Sequence, residues 1–217
     1  MLPRFLPLLL IGTLAGCASY TEDYQQRLVR SLPNQREVTF DNARSYPGRI
    51  LCGRYTTLTT DGFSMRTSEF VVGETMMLTS PSKVEVAVYC SKDPQQALYD
   101  RLGIGAEDGN WIHLGKLRDD MLAIDSAITR YYDSASTLPE VLENLLQGDF
   151  GVSQANLTDP GGRGYYYEGG LSGRTAPQYQ LGSRGADGAT GGRGADADIS
   201  KEQVAMLDHV LRVLGKP

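Results

Sequence analysis

Between Gly182 and Ile199 the chain reads GSRGADGATGGRGADADI. Nothing in that stretch can build an apolar core, yet three carboxylates, Asp187, Asp196 and Asp198, are set among its glycines. Such a segment either stays a loose surface loop or closes around something that replaces a core. Calcium can do this, because it takes about six to eight oxygens from carboxylates and carbonyls in a flexible cage. Glycines at 185, 188, 191, 192 and 194 let the backbone turn carbonyls inward. Asp187, Asp196 and Asp198 are therefore candidate calcium ligands. Glycine also recurs at every third position from Gly182 to Gly194, but so few triplets without proline cannot form a collagen helix.

The rest of the chain sets the context for this loop. With 217 residues there is room for one or two small domains. The formal net charge of −5 argues against a nucleic-acid partner, which usually calls for a basic patch or stripe. Residues 1–16 carry Arg4, a short apolar run and small residues before Cys17, the pattern of a secretory signal too short to span a bilayer. Leu14-Ala15-Gly16-Cys17 resembles the lipobox of bacterial lipoproteins. The resemblance implies cleavage before Cys17, lipidation of Cys17, attachment to the membrane through that lipid and, with Ala18 following, an outer-membrane location. Removal of residues 1–16 takes only Arg4 from the charged set, leaving 20 basic against 26 acidic residues, a net of −6. Residues 17–37 are expected to be a lipidated tether, with one short helix over 24–32 ended by Pro33.

Residues 38–105 are expected to form a small antiparallel β domain with a following helix. Arg49–Leu58, Phe63–Val72 and Thr75–Thr79 are rich in strand formers, with a turn at Thr60-Asp61-Gly62. Val84, Val86 and Val88 alternate with Glu85 and Ala87, which predicts a half-buried strand over 84–89. Asp93 and Pro94 suit the start of a helix reaching Leu102. With Cys17 assigned to lipid, Cys52 and Cys90 remain. They are expected to pair in an oxidising compartment, two separate buried thiols being the alternative. Neither histidine, His113 or His209, is near a cysteine in sequence, so no catalytic cysteine is expected.

Gly103–Gly109 reads as a hinge into a second unit, 106–217. Leu114, Leu117, Met121, Ile124, Ile128 and Tyr131 form one apolar stripe on a helix, with Asp119 and Asp120 outside it. Thr137 and Glu140 predict a capped second helix reaching Leu146. Tyr165–Tyr167 and Gln178–Leu181 read as strands. Ser200–Leu214 reads as a closing helix with Val204, Leu207, Leu211 and Leu214 on one face.

This order, with Asp159-Pro160-x-Gly162-x-x-Tyr165 and then Gly185-Ala186-Asp187-Gly188-x-x-Gly191-Gly192-x-Gly194-x-Asp196-Ala197-Asp198-Ile199, resembles the globular domain of the major pseudopilin of type II secretion. The resemblance covers about residues 114–199. It implies an α+β fold in which a small antiparallel β domain precedes a pseudopilin-like domain: an amphipathic helix on a short antiparallel sheet, a calcium loop and here a C-terminal helix. It implies calcium held by Asp187, Asp196 and Asp198, with the Arg184 carbonyl a further ligand. The chain departs from the family where it lacks the prepilin motif and long apolar N-terminal helix. It also carries Gly161 in place of the family's tryptophan and Arg184 in place of an apolar residue. The expected function is a non-enzymatic envelope lipoprotein that presents this domain to a protein partner, a secretion or pilus component. The alternatives are a free-standing envelope lipoprotein for another ligand and a metal-dependent hydrolase. No G-x-S-x-G, H-E-x-x-H or phosphate loop supports the hydrolase, and no catalytic residue is assigned.

Overall fold

The computed structural model describes residues 19–32, 37–59, 62–106, 111–170 and 178–216. The signal peptide, Cys17, the turn residues Thr60 and Asp61, and positions 107–109 of the expected hinge lie outside the described residues.

A four-stranded antiparallel sheet comes first, in spatial order β1 (Thr39–Tyr46), β2 (Ile50–Leu58), β3 (Met65–Val72) and β4 (Met77–Leu78). Alternation along β2 and β3 sends Leu51, Tyr55, Phe70 and Val72 to one face and Ile50, Cys52 and Val71 to the other. Both faces are covered. Helix α1 (Ser19–Ser31) lies on the first, burying Tyr24, Leu28 and Leu32, and the Arg27 guanidinium donates to the carbonyls of Gly73, Glu74 and Met76. Where a tether was expected, residues 19–32 are thus a docked helix, because every fourth residue is apolar and finds an apolar sheet face. Among the described residues no helix is long and apolar enough to cross a membrane.

The strand expected over Val84–Tyr89 is a helix, α2 (Lys83–Tyr89), and Cys90 is its C-cap rather than a strand residue. The start signal is Ser82: its hydroxyl accepts from the Glu85 N–H at 3.2 Å, while the Glu85 carboxylate accepts from the Ser82 N–H at 2.7 Å. Valine alternation is equally compatible with the i, i+4 pair Val84 and Val88, and burial of Val88 and Tyr89 decides for the helix. The Cys52 and Cys90 sulfurs are bonded, with Cα atoms 5.9 Å apart, tying β2 to the end of α2. Helix α3 (Pro94–Leu102) starts at Asp93, which accepts from the Gln96 N–H, and stops at Gly103 in the left-handed conformation.

Helix α4 (Trp111–Ala135) carries the expected stripe and buries it from Leu114 to Ile128, with Tyr131 half-buried. Asp120, read as an outer residue, is buried. It accepts from Lys116, from the Asn156 amide at 3.0 Å and from the Tyr165 hydroxyl at 3.1 Å. This satisfied network joins α4 to the chain entering the second sheet, and burial beside Asp120 pushes the Tyr165 phenol well above its ordinary range. The helix expected from Thr137 to Leu146 does not form. Residues 137–141 are irregular and a 3-10 turn spans Leu142–Gln147, started by the Asn144 amide oxygen accepting from the Val141 N–H.

The second sheet is antiparallel, in order β5 (Tyr166–Gly169), β6 (Tyr179–Ser183) and β7 (Ile199–Ser200). Helix α5 (Lys201–Val213) follows directly, with the Gln203 side chain accepting from the Ser200 N–H. It buries Val204, Leu207, Val210 and Leu211 against α4 and the helices of the first unit. One apolar cluster therefore runs from Ile50 and Val71 through Tyr89, Leu98 and Ile104 to Leu117, Ile124 and Leu207, with no break near residue 105. The fold is α+β, two antiparallel sheets with helices between and around them.

Candidate functional site

The glycine loop spans 184–198 and its base is a strand pair, Gly182 with Ser200 and Ser183 with Ile199. Within it the Ala186 N–H donates to the Ala195 carbonyl at 2.8 Å, and the Asp196 N–H to the Arg193 carbonyl at 3.2 Å. Two glycines make this closure possible. A Cβ on Gly185 would stand 2.4 Å from the Asp196 carbonyl carbon, and one on Gly192 would stand 2.3 Å from its oxygen. Both have positive φ, 63° and 95°, so any other residue is refused twice, by space and by backbone.

Three arginines brace the loop, Arg163 from outside it and Arg184 and Arg193 from within. Arg163 donates to the Ala186 carbonyl. Arg184 lies 5.3 Å from the Tyr166 ring centre and donates to the Thr190 hydroxyl. Arg193 lies 4.5 Å from the Tyr99 ring centre and donates to the Tyr99 carbonyl at 3.0 Å, while the Gly194 N–H donates to the Gly103 carbonyl at 2.8 Å. The loop is thereby seated on the end of α3. Beneath it Asp159 is buried; its carboxylate accepts from the Arg163 N–H at 2.8 Å and the Ser183 hydroxyl at 2.7 Å. The Ser183 oxygen in turn accepts from the Gly185 N–H at 3.2 Å. Asp159 is thus part of the loop's footing, although the 24 positions that separate it from Ser183 hide that link. Only the Asp-Pro-Gly-Gly turn hints at it.

The three expected ligands are not gathered face to face. Asp187 is exposed and accepts from the Ala189 N–H at 2.8 Å. Asp196 is exposed. Asp198 is half-buried, with one oxygen accepting from the Gly191 N–H at 2.9 Å and the other buried without a hydrogen-bond partner. Among the described residues no group of three or more His, Cys, Asp or Glu side chains is close enough to hold a metal ion. Asp187 and Asp198 each accept from a loop N–H instead. The orphaned Asp198 oxygen is the observation that suits a cation, since a buried acceptor without a donor is costly. Cys17 lies outside the described residues.

Beside the loop, Gly161 borders a cavity of about 370 Å³ walled by α4 at Leu114 and Leu117 and by the loop at Ala186 and Ala195. A Cβ on Gly161 would meet nothing closer than 3.3 Å. His209 has no part in the loop. It is buried on α5, with its ring centre 5.0 Å from that of Tyr89.

No curated protein matches the chain. Residues 115–202 match the family model described as Type II secretion system (T2SS), protein G. The match begins in the first turns of α4, takes in the second sheet and the whole glycine loop, and ends in the first turn of α5. This chain therefore carries a pseudopilin-like domain of the protein G type in its C-terminal half.

Proposed function

We propose that the protein is a non-enzymatic lipoprotein of the cell envelope, anchored at the outer membrane by lipid on Cys17, that presents its pseudopilin-like domain to a secretion or pilus component. The observation that carries this reading is the closed glycine loop inside the segment matched to protein G. The loop is exposed and is pinned by hydrogen bonds to Arg163 and to the end of α3, which suits recognition. In this reading calcium completes the loop. Asp198 supplies the buried oxygen that lacks a donor, and Asp187, Asp196 and the Arg184 carbonyl supply the remaining protein oxygens. In this reading the ion gathers Asp187 and Asp196 beside Asp198, carboxylates that do not meet without it.

Two experiments test it. In cells, a clickable fatty acid labels the wild type and not Cys17→Ser, and a photocrosslinker at Thr190 captures a secretion or pilus component. Unchanged labelling of the variant sinks the anchor, and capture of no such component sinks the role. In solution, residues 18–217 melt higher in calcium than in chelator. Binding at a hundredfold excess over Kd is worth about 2.7 kcal/mol, about 5–10 °C for a unit of this size. Magnesium gives less, because it demands tight octahedral geometry. Asp198→Ala removes the difference and Asp133→Ala, on the exposed side of α4, keeps it. Overlaid wild-type curves in calcium and chelator rule the ion out.

A further inference from the structure

Three elements share one end of the molecule. Helix α1 begins there, β2 begins there, and α5 ends there. The Arg49 guanidinium lies 5.8 Å from the Tyr20 ring centre. A Cβ on Gly48 would stand 2.8 Å from the His209 ring and 2.9 Å from a Val213 methyl. At the other end of α1, Ser31 and Leu32 border the same hollow as Leu58 at the far end of β2. The glycine loop sits at the start of α5, one helix length away. Thirteen residues at about 1.5 Å each put it roughly 20 Å from the shared end.

Only Ala18 stands between Cys17 and the first residue of α1. An extended chain covers at most about 3.6 Å per residue. Because α1 is docked through Leu28 and Arg27, a lipid on Cys17 has less than about 10 Å of chain between itself and the folded body. The same segment undocked, residues 18–37, would reach about 70 Å and impose no orientation.

We propose that the end formed by Tyr20, Tyr46–Arg49 and the last turn of α5 rests on the lipid headgroups, and that the glycine loop is held facing away from the membrane. This rests on the reading of Cys17 as the anchor. The surface suits the contact. Tyr20 and Tyr46 are half-buried rings with polar tips, the type of side chain that favours a membrane interface. Charges of both signs are present: Arg49 is 3.8 Å from Glu74, Arg212 is 2.9 Å from Asp208, and Glu22, Asp23 and Lys216 are exposed. Such a mixture fits zwitterionic headgroups and requires no anionic lipid.

The test supplies the anchor chemically. With Cys52 and Cys90 joined, the chain from Cys17 onward has one free thiol, which is coupled to a maleimide lipid in phosphatidylcholine–phosphatidylethanolamine vesicles. Failure of cellular lipidation then shows only in the fatty-acid labelling and leaves this experiment intact. Hydroxyl-radical footprinting read by mass spectrometry compares coupled and uncoupled protein. Oxidation of Tyr20 and Tyr46 is expected to fall at least threefold on coupling, while Met65 at the far end of the first sheet and Tyr99 beside the loop keep their rates. A twelve-residue Gly-Ser insert between Ala18 and Ser19 restores the rates at Tyr20 and Tyr46 without touching the fold. Equal rates at both ends on coupling, or protection that survives the insert, overturns the proposal.

Discussion

Among the described residues, His209 is a buried group that acid threatens. Its Nε2 has no hydrogen-bond partner, and burial, helped by Arg212 and opposed by Asp208, holds its pKa down at about 4 against an ordinary 6.5. The neighbouring Tyr89 ring gives it no acceptor. The folded state therefore refuses a proton that the unfolded state accepts between those two values. Stability is full above about pH 6.5 and falls as pH drops towards 4, by about 2 kcal/mol between pH 7 and pH 5. Urea unfolding at the two pH values measures it. His209→Leu flattens the difference, and a wild type equally stable at both refutes the assignment. That His209 lies on a helix follows from the pattern of 200–214, but its lack of a partner does not. That depends on Tyr89 and Gly48, residues over a hundred positions away. Asp159 makes the same point. Its acidic side chain reads as a surface turn residue, and only the fold shows Ser183 and Arg163 closing on it.

Among the elements, those with strong local signals were legible. The apolar stripe of α4, the Asp93-Pro94 start of α3 and the strands β2 and β6 all lie close to where their patterns put them. The failures have physical causes. In 84–89 a period of two and a helical i, i+4 pair share the same valines, and the Ser82–Glu85 capping box outweighs the alternation. At Thr137 the capping pattern has no apolar run long enough to extend a helix, so the chain settles into a 3-10 turn. For the loop, closure follows from the glycines, but the arginine bracing and the turning of Asp198 onto the Gly191 N–H do not. Both depend on groups that meet only in space. The cavity beside Gly161 gives an element-scale test. Gly161→Trp places an indole against Leu114 and Leu117, at a net gain of about 1–2 kcal/mol after strain is allowed for. The melting temperature of 18–217 rises by about 3–6 °C. Gly162→Trp, at a φ of 82°, gives no rise. No increase for Gly161→Trp means the hollow cannot take a ring.

For the whole molecule, the matched segment is smaller than the structure that holds it. Residues 115–202 lack Val204, Leu207, Val210 and Leu211 of α5, and Ile104 and Tyr99 from the α3 side. Expressed alone, 115–202 is expected to give a poorly dispersed NMR spectrum and no cooperative melt, while 18–217 gives both dispersion and a sharp transition. A cooperative melt of the short piece contradicts the shared core. The seat of the loop on α3, where Gly194 meets Gly103 and Arg193 covers Tyr99, has a consequence for heredity and for engineering alike. The stretch recognisable as a family, and so the stretch that recombination or a cloner would treat as a module, ends where the folding unit is still incomplete. Moving this loop into another scaffold means carrying α3 and all of α5 with it.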